Sequence, residues 1–240
     1  MIKPDNIGWI NGHWARLEAL SIPMKDCGLK YGDGIFETIL ISKGKAKLLR
    51  AHLQRWEQGA IHLGMDEPPH EDWLRPLITK AVQLCSLESG YGALRLNWSR
   101  GDHTNLGLRF ASGQSITQSH LFWLELTSIK LCFDPISAII SCNEKRNPHS
   151  ILNLYKTFEY GQAIQAQREA INSGVDQALL ENNRGELCCG TTSNIIIRRN
   201  NTLLTPELKS GCLPGIMRGQ GIKSGLIKEA SLTSSPIEGD

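Results

Sequence analysis

The feature that most limits what this chain can fold into is a double change in the spacing of its apolar residues within the first hundred positions. Residues 7–17, broken by the Asn11-Gly12 turn signal, and residues 35–42 and 46–49 around Gly44 form the short runs expected of strands. From Ala51 the spacing lengthens: Leu53, Trp56, Ala60 and Leu63 recur every three or four residues, and Gly64 can close that helix. Residues 71–87 repeat the helical spacing. At 92–99 the two-residue period returns, with Leu94, Leu96 and Trp98 alternating against Arg95 and Asn97. The pattern predicts a small antiparallel sheet with two helices, an α+β unit that closes near residue 110.

Residues 111–120 (ASGQSITQSH) are polar and aperiodic, which marks them as an interdomain loop. The expected organisation is a domain at 1–110, that loop, and a larger, strand-rich domain at 121–240. Strands are expected at 121–126, 137–142, 177–180, 187–189, 194–198 and 202–204, with helices at 156–173 and 214–228. A chain of 240 residues that is 40% hydrophobic and 21% charged can bury a sizeable core. The net charge of +2, with basic residues scattered along the sequence, argues against nucleic acid or an acidic membrane surface as partner and leaves a small-molecule substrate. The seven cysteines (Cys27, Cys85, Cys132, Cys142, Cys188, Cys189, Cys212) have neither a C-x-x-C pair nor zinc-type spacing, so reduced thiols and no metal site are expected. Nothing resembles a signal sequence, and no apolar run approaches the roughly 20 residues that cross a bilayer. A cytoplasmic protein is the expectation.

The helix expected from Lys156 places Tyr160, Ala163, Ile164, Gln167 and Ile171 on one face, with Lys156 one turn earlier. A lysine directed at a core is usually paired, neutralised or used as a nucleophile, although a first-turn lysine can also reach water. Arg55, in His52-x-x-Arg55, carries a fork suited to phosphate and is equally compatible with an exposed helix face. Gly211-x-x-Pro214-Gly215 precedes a helical pattern, and a loop opening onto a helix N-terminus can receive an anion.

Taken together, several segments are far more specific than any one. In chain order they are Asp26-Cys27-Gly28-Leu29-Lys30-Tyr31-Gly32-Asp33-Gly34-Ile35-Phe36-Glu37-Thr38, His52-Leu53-Gln54-Arg55, Arg146-Asn147-Pro148-His149, Lys156, the run GELCCGTTSN at 185–194, Thr205-Pro206 and the run GCLPGIMR at 211–218. Their order and spacing closely resemble the class IV aminotransferase family, the fold-type IV pyridoxal-phosphate (PLP) enzymes. That family includes branched-chain aminotransferases, D-amino-acid aminotransferases and aminodeoxychorismate lyases. The resemblance implies a two-domain α+β architecture like that of D-amino-acid aminotransferase, pyridoxal 5'-phosphate as cofactor, and a homodimer. It further implies that Lys156 is the Schiff-base lysine and proton shuttle, that Arg55 and the backbone N–H groups of Ile216 and Met217 meet the phosphate, and that Thr191, Thr192, Ser193 and Asn194 bond near the ring. Tyr160 would approach the cofactor's phenolic oxygen, or else belong to the core.

Two departures stand out. Where most of the family has a glutamate that pairs with the pyridine nitrogen, this chain has Cys189. Glu186 lies three residues away, and an odd offset along a strand points to the opposite face. A thiol is a weak partner for a protonated ring, so the cofactor should be a weaker electron sink. Loss of pyruvate from aminodeoxychorismate creates an aromatic ring and needs that sink least, which favours the lyase. The Arg146-Asn147-Pro148-His149 run, and the lack of an R-x-H after Ser99-Arg100-Gly101, lean the same way. The second departure is a C-terminus shorter than the family norm: residues 231–240 (SLTSSPIEGD) do not resemble the segment that returns to the family's active site. The expected function is therefore PLP-dependent conversion of 4-amino-4-deoxychorismate to 4-aminobenzoate and pyruvate, a step toward folate. A D-amino-acid or branched-chain aminotransferase and a degenerate homologue with little cofactor binding are the alternatives.

Overall fold

The computed structural model describes residues 4–102 and 120–234. The chain divides into two compact units, one of 1–132 with 156–158, the other of 133–155 with 159–240. The first contains β1 (Asn6–Ile10), β2 (His13–Ala15), α1 (Cys27–Tyr31), β3 (Gly34–Ser42), β4 (Lys45–Ala46), α2 (Leu49–His62), α3 (Glu71–Cys85), β5 (Tyr91–Ser99) and β6 (Leu121–Ser128). The expected loop at 111–120 lies almost wholly outside the described residues. The strand after it corrects the expected division: β6 joins the first unit, because its antiparallel pairing with both β1 and β5 closes a sheet of order β2-β1-β6-β5-β3-β4.

Turn chemistry sets the hairpins. Asn11 (φ 49) with Gly12 (φ 85), and Lys43 (φ 50) with Gly44 (φ 73), take the left-handed conformation that two-residue hairpins require. One sheet face packs on α2 and α3. Ile39, Ile41, Leu94, Leu96, Leu124 and Leu126 from the strands bury against Trp56, Ala60, Leu74, Ile78 and Ala81. The pleat sends alternate residues to the other face, so Phe36, Arg95, Asn97, Trp123 and Glu125 gather there, cross-registered as Phe36 to Asn97, Asn97 to Trp123 and Arg95 to Glu125.

Lys156 corrects the helix expected at 156–173. Residues 156–158 run extended along the edge of β3: Phe36 N–H donates to the Lys156 carbonyl (2.9 Å), and Phe158 N–H donates to the Gly34 carbonyl (2.9 Å), around an antiparallel bridge between Ile35 and Thr157. Those backbone groups are consumed by the sheet and cannot propagate a helix.

The second unit contains β7 (Ala138–Arg146), α4 (Gly161–Asn172), β8 (Gln177–Asn182), β9 (Leu187–Gly190), β10 (Ile197–Arg199), β11 (Thr202–Pro206), α5 (Ile216–Lys223) and β12 (Ile227–Ala230). Sheet β7-β8-β9 is parallel between β7 and β8 and antiparallel between β8 and β9; sheet β10-β11-β12 pairs β11 with β12 in parallel. The buried face of α4 is Ala163, Ala166 and Ala170, whereas Ile164 and Ile171 are exposed. Small residues let the helix lie close on Ala178 and Leu180. The helix expected at 214–228 ends at Lys223, because Gly225 (φ 73) turns the chain and residues 227–230 are drawn into the sheet as β12. Among the described residues no helix is long and apolar enough to cross a membrane.

The edge pairing of 156–158 depends on the missing side chain at Gly34, where a Cβ would overlap the Phe158 ring; at Gly28 it would come within 2.8 Å of the same ring. Gly34→Ala should therefore lower stability by about 2 kcal/mol through overpacking. Urea unfolding measures this, and an unchanged midpoint would refute the close packing of Phe158 on β3.

Candidate active site

In the first unit the extended backbone of Lys156 aims its side chain onto the strand face opposite the helices. Its Nζ lies 4.4 Å from the centroid of the Phe36 ring, and the Arg95 guanidinium lies over the same ring at 3.4 Å. Both side chains thus lie against one aromatic ring, whose negative quadrupole attracts a cation. Arg95 Nε donates to Asn97 Oδ1 (2.7 Å), Asn97 Nδ2 donates to Glu125 Oε1 (3.1 Å), and Trp123 Nε1 donates to the same carboxylate (2.8 Å). Phe158 stands against Phe36 and Trp123, with ring centroids 6.1 and 5.5 Å apart. Sequence reading singled out Lys156 but missed Phe36, Arg95, Trp123 and Phe158. The alternation of Arg95 and Asn97 against Leu94 and Leu96 was the available signal.

One residue beyond Phe36, Glu37 points to the helix side of the sheet and is 1% exposed. Arg55 from α2 grips it in a fork, Nε to Oε1 at 2.7 Å and Nη2 to Oε2 at 2.6 Å, while His52 Nδ1 donates to Oε2 at 2.7 Å. Burial alone would raise the Glu37 carboxyl above its ordinary 4.5, but the hydrogen bonds from His52 and Arg55 outweigh it and hold the group low. The structure therefore brings Arg55 to a buried carboxylate that fixes the plane of its guanidinium.

The second unit holds the remaining candidates. Cys189 on β9 is 4% exposed, bridges in backbone pairing to Asn194, and lies in the same sheet as Arg146 at the end of β7. Burial pushes its thiol upward, with Arg146 opposing only in part. Cys188 beside it is pushed up to about 12, chiefly by burial and then by Cys189 and Cys212. Glu186 is committed elsewhere: its carboxylate accepts from Asn182 Nδ2 (2.6 Å), Arg184 Nη2 (2.7 Å) and Ser231 Oγ (3.1 Å), which holds it at about 2. Asn194 Nδ2 donates to the Leu213 carbonyl (2.8 Å), and a Cβ on Gly215 would collide with Asn194 Oδ1. Glycine is thus required where the loop enters α5, whose first two residues are Ile216 and Met217. Their backbone N–H groups lie in the first turn, where a helix offers no acceptor of its own. Thr192 is exposed, Tyr160 is half-buried just before α4, and the Thr191 hydroxyl is spent on Gln167 and Gln177.

Taken unit by unit, the helix start behind an obligatory glycine suits a phosphate and the lysine's primary amine suits an aldehyde, so each unit carries groups that fit a part of a phosphorylated pyridoxal. The family comparison agrees. The Amino-transferase class IV family matches residues 34–238, so the chain belongs to that family, and its cofactor is pyridoxal 5'-phosphate. Among relatives, an aminodeoxychorismate lyase of Bacillus subtilis is 23% identical over 88% of this chain and 70% of its own length. A branched-chain-amino-acid aminotransferase of Pseudomonas aeruginosa is 26% identical over 91% of this chain and 72% of its own. A Mycobacterium tuberculosis structure described as a hypothetical aminotransferase in PLP-bound form has the same fold, with a TM-score of 0.78 at 22% identity over 95% of this chain and 82% of that one.

The Glu37 cluster makes a pH prediction. Because the folded-state pKa is depressed, the carboxylate's stabilisation is present above its ordinary value of 4.5 and is lost as pH falls through the lowered folded value. Glu37→Gln takes the carboxylate charge away from the Arg55 guanidinium and should lower unfolding free energy by about 3 kcal/mol at neutral pH. The gap from the parent should shrink as the pH is taken below 4.5, followed by denaturant melts across pH. A gap that is constant with pH would contradict the assignment.

Proposed function

We propose that this protein is a lyase converting 4-amino-4-deoxychorismate to 4-aminobenzoate and pyruvate, a step toward folate, and that it acts as a cytoplasmic homodimer. The observation that carries the reading is the buried Cys189 thiol at the position where the family's motif has a carboxylate. Bound pyridoxal phosphate withdraws electrons from the substrate's amine-bearing carbon, most strongly when its ring nitrogen is protonated. A neutral thiol gives such a proton little support, so the reaction best matched to the site supplies its own driving force. Removing the proton from the amine-bearing ring carbon and breaking the bond to the enolpyruvyl ether oxygen leave an aromatic ring. The departing enolpyruvate takes up the proton as pyruvate, so atoms balance without a second substrate.

In this reading Lys156 binds the cofactor through its amine and moves that proton, positioned by the edge of β3. Arg95 offers a guanidinium fork to a substrate carboxylate. By the family resemblance, Arg55, which Glu37 orients, is a phosphate ligand, the backbone N–H groups of Ile216 and Met217 are phosphate ligands too, and Thr192, Asn194 and Tyr160 serve the cofactor. The lyase name of the Bacillus subtilis relative supports the assignment. The second reading, a transaminase, is favoured by the Pseudomonas aeruginosa relative's name.

Incubation with aminodeoxychorismate should release 4-aminobenzoate roughly 100-fold or more faster than the Lys156→Ala variant does. No product above that variant would sink the lyase. Keto-acid formation from a panel of D- and branched-chain amino acids would establish the transaminase in its place.

A further inference from the structure

We infer that Arg146 and Cys189 present only hydrogen-bond donors to the ring nitrogen of the bound cofactor, so that this nitrogen stays unprotonated and accepts from them. The inference rests on the reading above, in which Cys189 occupies the ring-nitrogen position.

Arg146 ends β7 and Cys189 lies on β9, both against β8 in one sheet. Arg146 pairs with Asn182 and Cys189 with Leu180, two residues apart on β8 and so on one face of it, and the Arg146 Nε is buried with no hydrogen-bond partner among the described residues. A buried guanidinium N–H without an acceptor calls for one from outside the chain. The nearby carboxylates do not serve: Glu181 accepts from Lys145 Nζ (2.5 Å), and Glu186 is held by Asn182, Arg184 and Ser231. The thiol is clustered with Ala166, Ala170, Ala178 and Leu180, which carry no titratable group, and with Cys188 and Cys212, whose thiols burial pushes up and so keeps neutral; none of these balances a positive charge. A protonated ring nitrogen here would face a guanidinium cation and a neutral S–H, with repulsion from the first and almost no acceptor in the second. An unprotonated nitrogen instead has a lone pair for the orphaned N–H. The substitution of cysteine for glutamate thus does more than remove a carboxylate, because it leaves the arginine to set the protonation state of the ring.

The test is the nitrogen NMR spectrum of holoenzyme reconstituted with pyridoxal phosphate labelled with nitrogen-15 in the ring. The expected resonance is that of an unprotonated pyridine, far downfield of a pyridinium. Cys189→Glu should move it into the pyridinium range, and an analogue with carbon in place of the ring nitrogen should bind about tenfold more weakly, the loss of one hydrogen bond to a charged donor. A pyridinium signal in the parent holoenzyme overturns the inference even if Cys189→Glu does not fold, and leaves the assignment of Lys156 standing. If the protein takes up no pyridoxal phosphate and borohydride fixes none to it, the functional reading fails and this inference falls with it.

Discussion

Two backbone hydrogen bonds, from Phe36 N–H to the Lys156 carbonyl and from Phe158 N–H to the Gly34 carbonyl, hold the candidate lysine in place. They attach three residues from the middle of the chain to the edge of a strand more than a hundred positions earlier. The chain on either side of them belongs to the other unit. Because a strand fixes side-chain direction by alternation, pinning Thr157 opposite Ile35 leaves Lys156 and Phe158 on the face that carries Phe36, Arg95 and Trp123. An amine on a loop would sample many positions, whereas this one is set by a sheet.

The same alternation separates two electrostatic tasks along β3. Phe36 turns toward Lys156 and Arg95, while Glu37 turns toward α2 and meets Arg55 and His52. A carboxylate this buried is tolerated because three charge-assisted hydrogen bonds replace its water. In return it orients the arginine fork. The second unit is arranged differently: its candidate groups are buried thiols, backbone donors and an arginine with no carboxylate partner among the described residues, grouped near Cys189, and Asn194 with the glycine at the start of α5.

Much of this was legible in the sequence, and the failures have physical causes. The Asn11-Gly12 hairpin, the helices α2 and α3 and the alternation of β5 follow from local spacing and turn chemistry, which short windows record. The helical spacing of Tyr160, Ala163, Ile164, Gln167 and Ile171 extends back to Lys156 and so predicts a helix there; the partner that holds Lys156 extended is distant in sequence, and no local pattern reports it. The face of α4 was misjudged because isoleucine outranks alanine in hydrophobicity, yet close packing on a sheet favours Ala163, Ala166 and Ala170. Strand β12 was read as helix because its pairing with β11 is likewise remote. The cysteine at position 189 stands out in the sequence only against the motif around it, and its closeness to Arg146 along β8 is visible only once β7 and β9 pair with that strand.

The central claim is that Lys156, held on the edge of β3, is the lysine that bears the cofactor. Reduction of the holoenzyme with borohydride, proteolysis and mass spectrometry of the peptides test it directly. The account predicts the phosphopyridoxyl group on the peptide that contains Lys156, and on no other lysine in stoichiometric amount. A stoichiometric label on a different lysine would contradict it.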